Sequence, residues 1–458
     1  MMKDFTLGED FVKGAGRKYL PCPVGMEDEE YEGSYKNRAE FFNATGRTEE
    51  GLHGLINMKE PVLNVPENLK QYLENVNGEG SDINRFADDV VWNNMITGFG
   101  GILVDAPTGE SISKLQAEAD GMFPYMTEYR AEQIINTVFK TVNRQKVLSL
   151  VVLEEHDFKE TLDKFTREDV KRYRVLELDD DGYYMESVYD EHDVLISQVY
   201  PEEFGKRMKY IPFFFVLSNR PEKPLCKDVA DVNKAWYRKS ADLENGAHWT
   251  GVPTPYCIGY EPETKFDANG NEIATKKITL GGSKIIYFPQ GVTQVAYLEF
   301  TGSGLSQLSS LMQQDEERMA ILGARIISAE KKGVESAETA KIHRAGENGV
   351  LATFANEVSS GLTKALRCYL EWTVASEITD EISLQLNTDY DVSRMNPSEL
   401  TALVSCWQSG GISKRVLFDN LKQGEIIGNG VDFDDMQSEI DEEGNAKTES
   451  IQNKTIEE

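Results

Sequence analysis

The chain has 458 residues and a formal net charge of −30, which results from 78 acidic and 48 basic side chains. This length excludes a single core, because chains divide into units of roughly 100–200 residues, and a hydrophobic content of 40% excludes wholesale disorder. The acidic charge repels phosphates and anionic lipids, which excludes tight non-specific binding to nucleic acid.

The N-terminal part predicts short helices followed by a strand. In Tyr31–Ile56 apolar residues recur at helical spacing, and Gly46 is predicted to separate two amphipathic helices. A further helix is predicted to begin at Ser81 as its N-cap and to end at the glycines that follow Thr97. Ile102–Asp105 then begins a strand.

An antiparallel sheet is predicted next, because the hydrophobic period changes to two. Its predicted strands, separated by Asp-Gly and charged turns, are Val147–Leu153, Tyr173–Leu178, Tyr183–Val188 and Val194–Tyr200. Phe213–Val216 is predicted to close this sheet.

Two helical patterns enclose a small β unit. The first helix is predicted over Asp228–Trp249 and the β strands over Tyr256–Tyr260, Ile285–Phe288 and Gln294–Phe300, with a hairpin turn at Asn269-Gly270. In the second helix one stripe is predicted to pack, interrupted only by Asp315. The residues of this stripe are Leu305, Leu308, Met312, Met319, Leu322 and Ile326.

The C-terminal part is predicted to be helical until an acidic tail. A long helix spans Ser336–Trp372, with its apolar residues on one face, and a short loop at Glu330–Gly333 precedes it. Two short helices begin at Asn396-Pro397 and at Ser413. From Asp432 onward the chain is acid-rich, and its end is predicted to be disordered.

Several familiar sites are excluded by their spacing. Gly302-Ser-Gly304 lacks the third glycine of a dinucleotide loop, because position 307 is Gln307. Asp179–Gly182 lacks the glutamate that closes a calcium loop, so a hairpin turn is favoured. The five histidines show no metal-ligand spacing, and no phosphate-binding lysine motif or nucleophile elbow occurs. We therefore expect no catalytic residue, no metal and no cofactor.

Membrane insertion, export and disulfides are not expected either. No run approaches the roughly 20 apolar residues that a bilayer requires. The first ten residues carry acid where a secretory signal needs base, so the chain is expected to stay in a cytoplasm. The cysteines stand far apart, which predicts reduced thiols, and they are Cys22, Cys226, Cys257, Cys368 and Cys406.

Five segments, taken in order, carry a resemblance to a known family. They are YEGSYKNRAEFFNATGRTEEGLHGLI, GFGGILVDAP, PYMTEYRAEQIIN, GSGLSQLSSLMQQDEERMAILGARII and ESAETA. Together they resemble the phage protein family DUF4055, whose members are regarded as portal proteins, and the resemblance covers nearly the whole chain to about Trp372.

This resemblance implies a multidomain α+β portal fold, in which subunits assemble into a ring that is typically dodecameric. The implied parts are a wing of helices and antiparallel sheet (1–224), a first stem helix (225–250), a β-containing clip (251–301), a second stem helix (302–327), a channel loop (328–335), a long channel-facing wing helix with its return segment (336–392), a helical crown (393–431) and an acidic tail (432–458).

The implied function is a conduit for genome packaging, tail attachment and DNA ejection at one capsid vertex of the virion. The implied partners are further copies of the chain, major capsid and scaffolding proteins, the terminase large subunit, head-tail adaptor or tail proteins, and double-stranded DNA that passes without tight binding. Lys331 and Lys332, beside Gly333, would form a positive collar around DNA. The alternative is a solvated loop whose lysines stabilise a helix C-terminus.

Two other classes of protein stay open. A different phage head or connector component would share the charge and the multidomain layout. An enzyme with an unrecognised acidic site would have to show a thermal shift with a metal or nucleotide.

Overall fold

The computed structural model describes residues 1–106, 123–159, 165–203, 206–251, 254–258, 286–288, 294–298, 302–324, 337–374, 381–388, 390, 403–407, 411–423, 433 and 436–438. The chain divides into two compact units, Met1–Thr388 and Asp389–Glu458. Helices are mixed with mainly antiparallel sheets, in agreement with the predicted α+β class.

The α-helices of the described residues are α1 Met2–Leu7, α2 Glu9–Gly14, α3 Asp28–Glu30, α4 Lys36–Arg38, α5 Ala44–Ile56, α6 Ile83–Thr97, α7 Lys227–Gly251, α8 Ser303–Met319, α9 Ala337–Val374 and α10 Lys414–Gln423. Shorter 3₁₀ segments are Gly16–Lys18 and Glu67–Leu73, and π-helical turns are Tyr31–Tyr35 and Ala320–Ala324.

The strands are β1 Val62–Asn64, β2 Gly100–Asp105, β3 Tyr125–Arg130, β4 Ile134–Val142, β5 Gln145–Lys159, β6 Glu168–Leu178, β7 Tyr184–Asp190, β8 Leu195–Val199, β9 Glu202–Glu203, β10 Lys206–Arg207, β11 Phe213–Phe215, β12 Thr254–Ile258, β13 Ile286–Phe288, β14 Gln294–Leu298 and β15 Ser383–Gln385. The sheet orders are β4-β5-β6-β7-β8, β11-β2-β3, β13-β12-β14, β1-β15 and β10-β9.

The N-terminal helices differ from the prediction at Gly46. This glycine lies inside α5 and does not separate two helices. Asn43 caps the helix by accepting a hydrogen bond from the Gly46 N–H at 2.9 Å, so the helix begins before Gly46. A Cβ at position 46 would lie 2.8 Å from the carbonyl oxygen of Thr6. The residue is therefore small because α1 approaches closely, and the expectation of a helix break was wrong.

The ends of α6 follow its local signals. Asp82, one residue after the predicted Ser81, is the N-cap, and its carboxylate accepts a hydrogen bond from the Arg85 N–H at 2.7 Å. Gly98 ends the helix with a left-handed φ of 68°, as predicted.

The predicted antiparallel sheet is present with five strands. Strands β5 to β8 correspond to the four predicted segments, whereas β4 was not predicted. Phe213–Val216 does not close this sheet, which corrects the prediction. Instead β11 pairs with β2, where Gly101 leaves room for the ring of Phe213, which would lie 2.1 Å from a Cβ at that position.

Helix α9 packs along the small sheet β11-β2-β3. Its predicted apolar face is buried from Leu351 to Tyr369. At Gly361 the helix approaches the backbone so closely that a Cβ would lie 2.7 Å from the Cα atom of Val216. Strand β15 returns along α9 and pairs with β1.

Candidate functional site

Helices α7 and α8 form an antiparallel pair. The Trp236 indole N–H donates to Glu316 at 2.9 Å near one end. Towards the other end the side chain of Leu305 packs on Gly246, where a Cβ would lie 2.6 Å from it. As α7 runs forward, its contacts therefore run backward along α8.

A buried ion pair lies between these helices. The Lys239 ammonium is 2.5 Å from the carboxylate of Asp315, whose side chain is 4% exposed. The Arg318 guanidinium is 3.8 Å from the other carboxylate oxygen. Asp315, which appeared in the sequence as an interruption of the packing stripe, therefore lies on the stripe and carries a charge that its partner compensates.

The first half of α7 is anchored in the N-terminal helices. Asn233 is fully buried, donates its amide to the carbonyl of Phe42 at 2.8 Å and accepts from the Thr45 hydroxyl at 3.0 Å. Arg238 donates to the carbonyl of Tyr19 at 2.8 Å. Nearby Trp236 joins the apolar cluster that holds the base of the pair together.

The second half of the pair leaves this anchored region. The buried residues of α7 all lie between Val229 and Ala241, and no residue of α7 after Ala241 is buried. In α8 the buried residues begin only at Met312. The β unit β13-β12-β14 connects the far ends, and Thr254 pairs with Leu298 beside them. The pair is thus an arm with a β unit at its end.

The stripe residues fall into three groups. Met312 and Met319 are buried, whereas Leu305 and Leu308 are half-buried. Leu322 lies in the π-helical turn after α8 and is 48% exposed. Ile326 lies outside the described residues, as do Lys331, Lys332 and Gly333.

A charge cluster around Arg174, in which Glu186 is buried and the other groups are partly buried, was not predicted from the sequence. Its guanidinium pairs with Glu186, with Glu155 at 2.7 Å and with Asp105 at 3.1 Å. Burial raises the pKa of Glu186, and Asp105 adds to the effect. Burial has the largest single effect and lowers the pKa of Arg174, but the attractions of Glu186, Tyr129 and Glu155 together exceed it, so the pKa of Arg174 is raised. The cluster joins β2 to the five-stranded sheet.

The motifs rejected in the sequence take the structural roles expected for them. Gly302, with a φ of 64°, begins α8. The Asp179 carboxylate accepts from the Asp181 and Tyr183 N–H groups at 3.0 and 2.8 Å, which closes the β6–β7 turn. Among the described residues no group of His, Cys, Asp and Glu could hold a metal ion.

A cleft of about 790 Å³ is the clearest alternative site. Its described lining combines aromatic and amide side chains with Glu74 and Glu79, and it contains no histidine, cysteine or lysine. The residues that carry its aromatic surface are Tyr72, Phe123, Tyr125 and Tyr369.

Two further predictions from the sequence concern the cysteines and membrane insertion. The described cysteines Cys22, Cys226, Cys368 and Cys406 are thiols outside any disulfide. No helix in the described ranges combines the length and the apolarity that a membrane crossing requires.

Comparisons with known proteins give one family match. The model described as "Domain of unknown function (DUF4055)" matches residues 224–373, which include α7, the β unit, α8 and nearly all of α9. Of the five resembling segments, the last two lie within this match and the first three lie outside it. No curated protein matches the chain.

A solved structure described as "Neck of empty GTA particle computed with C6 symmetry" is similar with a TM-score of 0.37 and 11% identity, over 88% of this chain and 95% of that one. Over residues 224–373 the chain is similar to the DUF4055 family, and those residues contain the helix pair.

Proposed function

We propose that this chain is a phage head-tail structural protein and, specifically, the portal subunit that assembles into a ring at one capsid vertex. The observation that carries the proposal is the arm formed by α7 and α8, whose outer half has no buried residue in the single chain. The family match at residues 224–373 supports it, because that region contains the arm and the β unit.

The outer half of the arm presents an incomplete core. Leu243 of α7 and Leu305 and Leu308 of α8 are only half-buried, although leucines at helical spacing normally pack. Side-by-side arms of neighbouring copies would cover these residues and extend the core around a ring. The β unit at the end of each arm would then form the rim that meets a packaging motor or a tail adaptor.

The charge of the chain agrees with a conduit. A net charge of −30 repels phosphate, so a channel made of such subunits would let DNA slide without the counterion release that tightens binding. On this proposal the chain has no catalytic role, its partners are capsid, scaffolding, terminase and tail proteins, and it resides in the virion.

The proposal can be tested by placing a charge among the half-buried leucines of the arm. Leu308→Glu would bury an unpaired carboxylate between arms and should abolish rings in electron micrographs, while the isolated chain keeps its thermal stability. Ser310→Glu adds the same charge at an exposed position two residues along α8 and should leave ring assembly unchanged. Normal rings from Leu308→Glu would contradict the role of the arm.

A further inference from the structure

The hairpin formed by β4 and β5 projects beyond the rest of its sheet. Strand β5 pairs with β6 only from Leu150 onward, so Gln145–Ser149 has β4 alone as its partner. Ser149 is buried and Leu148 packs on the core, so the exposed part of this hairpin is its end, residues 140–146. The end of the sheet next to β6 therefore carries a two-stranded arm, the β4–β5 hairpin.

This hairpin is basic within an acidic protein. No acidic residue occurs between Glu132 and Glu154 in the sequence. Lys140, Arg144 and Lys146 are exposed, and none of them forms an ion pair with a carboxylate of the described residues. Lys140 pairs across the ladder with Val147 and Thr141 with Lys146, so the two lysines point to opposite faces of the hairpin.

The tip of the hairpin has a conformation that costs free energy. Asn143 and Arg144 have φ angles of 50° and 68°, as in the two-residue turn that favours glycine at its second position. An arginine in this left-handed conformation lacks the freedom of glycine. This arginine therefore lies in the turn at the outermost point of the arm.

The opposite edge of the same sheet has the opposite charge. The turn between β7 and β8 carries Glu191 and Asp193, both exposed. It is preformed, because the Asp190 carboxylate accepts from the His192 and Val194 N–H groups at 2.9 and 2.8 Å. Strand β8 is an edge strand of the five-stranded sheet.

Both edges also expose apolar side chains. On β4, Ile135 and Val142 are each 51% exposed. Beside the acidic turn, Val194, Leu195 and Ile196 are exposed to 58%, 47% and 53%. An unpaired strand edge with exposed branched residues is a ready surface for another chain.

We propose that the basic β4–β5 hairpin of one copy docks on the acidic β7–β8 turn and edge of the neighbouring copy. The two surfaces have opposite charge and lie on opposite edges of one sheet. Each copy would therefore contact one neighbour through its hairpin and the other neighbour through its β7–β8 edge. Such a head-to-tail contact closes into a ring when the rotation between copies is suitable. This inference rests on the proposed ring and adds the contact that would hold neighbouring copies in register.

A second copy fits the hairpin better than DNA does. Phosphates would neutralise the cations but would leave Val138 and Val142 exposed to water. The β7–β8 edge of a second copy offers acidic side chains to the cations and apolar side chains to the valines. A hairpin that bound phosphate tightly would also oppose the sliding of DNA that the acidic charge of the chain permits.

The contact can be tested by cross-linking. With Val142→Cys and Leu195→Cys in one chain, oxidation should link neighbouring copies into a covalent ladder on a denaturing gel. The two sites cannot join within one chain, because β4 and β8 are four strand spacings apart, about 19 Å, and a disulfide needs Cα atoms within roughly 7 Å. Each single variant, in a background with Cys22→Ser and Cys406→Ser, should give no ladder.

A charge swap tests the same contact independently. Arg144→Glu with Lys146→Glu should reduce the ring fraction by roughly tenfold or more, and adding Glu191→Lys with Asp193→Lys should restore it. Lys3→Glu with Lys70→Glu changes the net charge equally at exposed lysines outside the sheet and should leave the rings intact.

The outcomes separate the contact from the ring. A wild-type chain that forms no ring overturns both proposals. If the wild-type chain forms rings, but the double-cysteine variant gives no ladder and the charge-reversed variant still forms rings, the contact alone is overturned. Normal rings that lose packaged DNA in the reversed variant would assign the hairpin to DNA and would likewise overturn the contact.

Discussion

At the residue scale, the informative groups are charges that the fold buries. Asp315 is a single acid in an apolar stripe, and the sequence gives no sign that its partner is Lys239, 76 residues away. Arg174 and its three carboxylates come from different strands for the same reason. Local patterns report periodicity, but they cannot report which distant charge compensates a buried one.

The ion pair between α7 and α8 predicts an asymmetric response to mutation. Lys239→Met leaves the Asp315 carboxylate buried without its closest cation and should lower the free energy of unfolding by about 3 kcal/mol. Adding Asp315→Leu should recover most of that loss in chemical denaturation. Lys234→Met removes a lysine whose partner Asp231 is 45% exposed, and it should cost under about 1 kcal/mol. Equal losses from the two lysines would contradict the buried pair.

Glu49 predicts a dependence of stability on pH. Burial raises its pKa to about 7, although the Thr6 hydroxyl donates to it. A carboxyl whose pKa is higher in the folded than in the unfolded state binds extra protons when folded, so stability is lost as the pH rises from about 4.5 to about 7.

Glu49→Gln removes this loss. It should raise the free energy of unfolding by about 2–3 kcal/mol at pH 8 and change it little near pH 4.5. Glu50→Gln, at the exposed neighbouring position, is the control. The account fails at this residue if thermal melts of Glu49→Gln and the wild type depend on pH in the same way.

At the element scale, the sequence predicted what local signals specify. Helix α7 was expected over Asp228–Trp249 and lies at Lys227–Gly251, because apolar spacing marks a helix wherever it packs. The errors arose where a third element decides. Gly46 is a site of close approach inside α5, and β11 pairs with β2 because Gly101 admits a ring there.

Close approach between elements gives the next prediction. Gly361→Ala places a Cβ 2.7 Å from the Val216 backbone, which cannot move aside as a side chain can, so we expect destabilisation by about 1–3 kcal/mol. Gly54 lies in α5 with open space around its Cβ position, so Gly54→Ala should instead stabilise by about 0.5–1 kcal/mol. Melting temperatures that shift in the same direction would contradict the packing of α9.

At the scale of the whole molecule, the sequence predicted the order of the segments but not the contacts between copies. A half-buried Leu305 or Leu308 has the same helical spacing as a buried one, and only the structure shows that the single chain leaves it partly uncovered. The opposite charges on the two edges of the five-stranded sheet likewise emerge only when the strand order is known.

The most direct test of the portal proposal is the mass and symmetry of the purified wild-type chain, measured by native mass spectrometry and electron microscopy. We predict a closed ring of many 51.5 kDa subunits around a central hole. A monomer, or a closed dimer without a hole, under conditions in which the chain is folded would contradict the proposal.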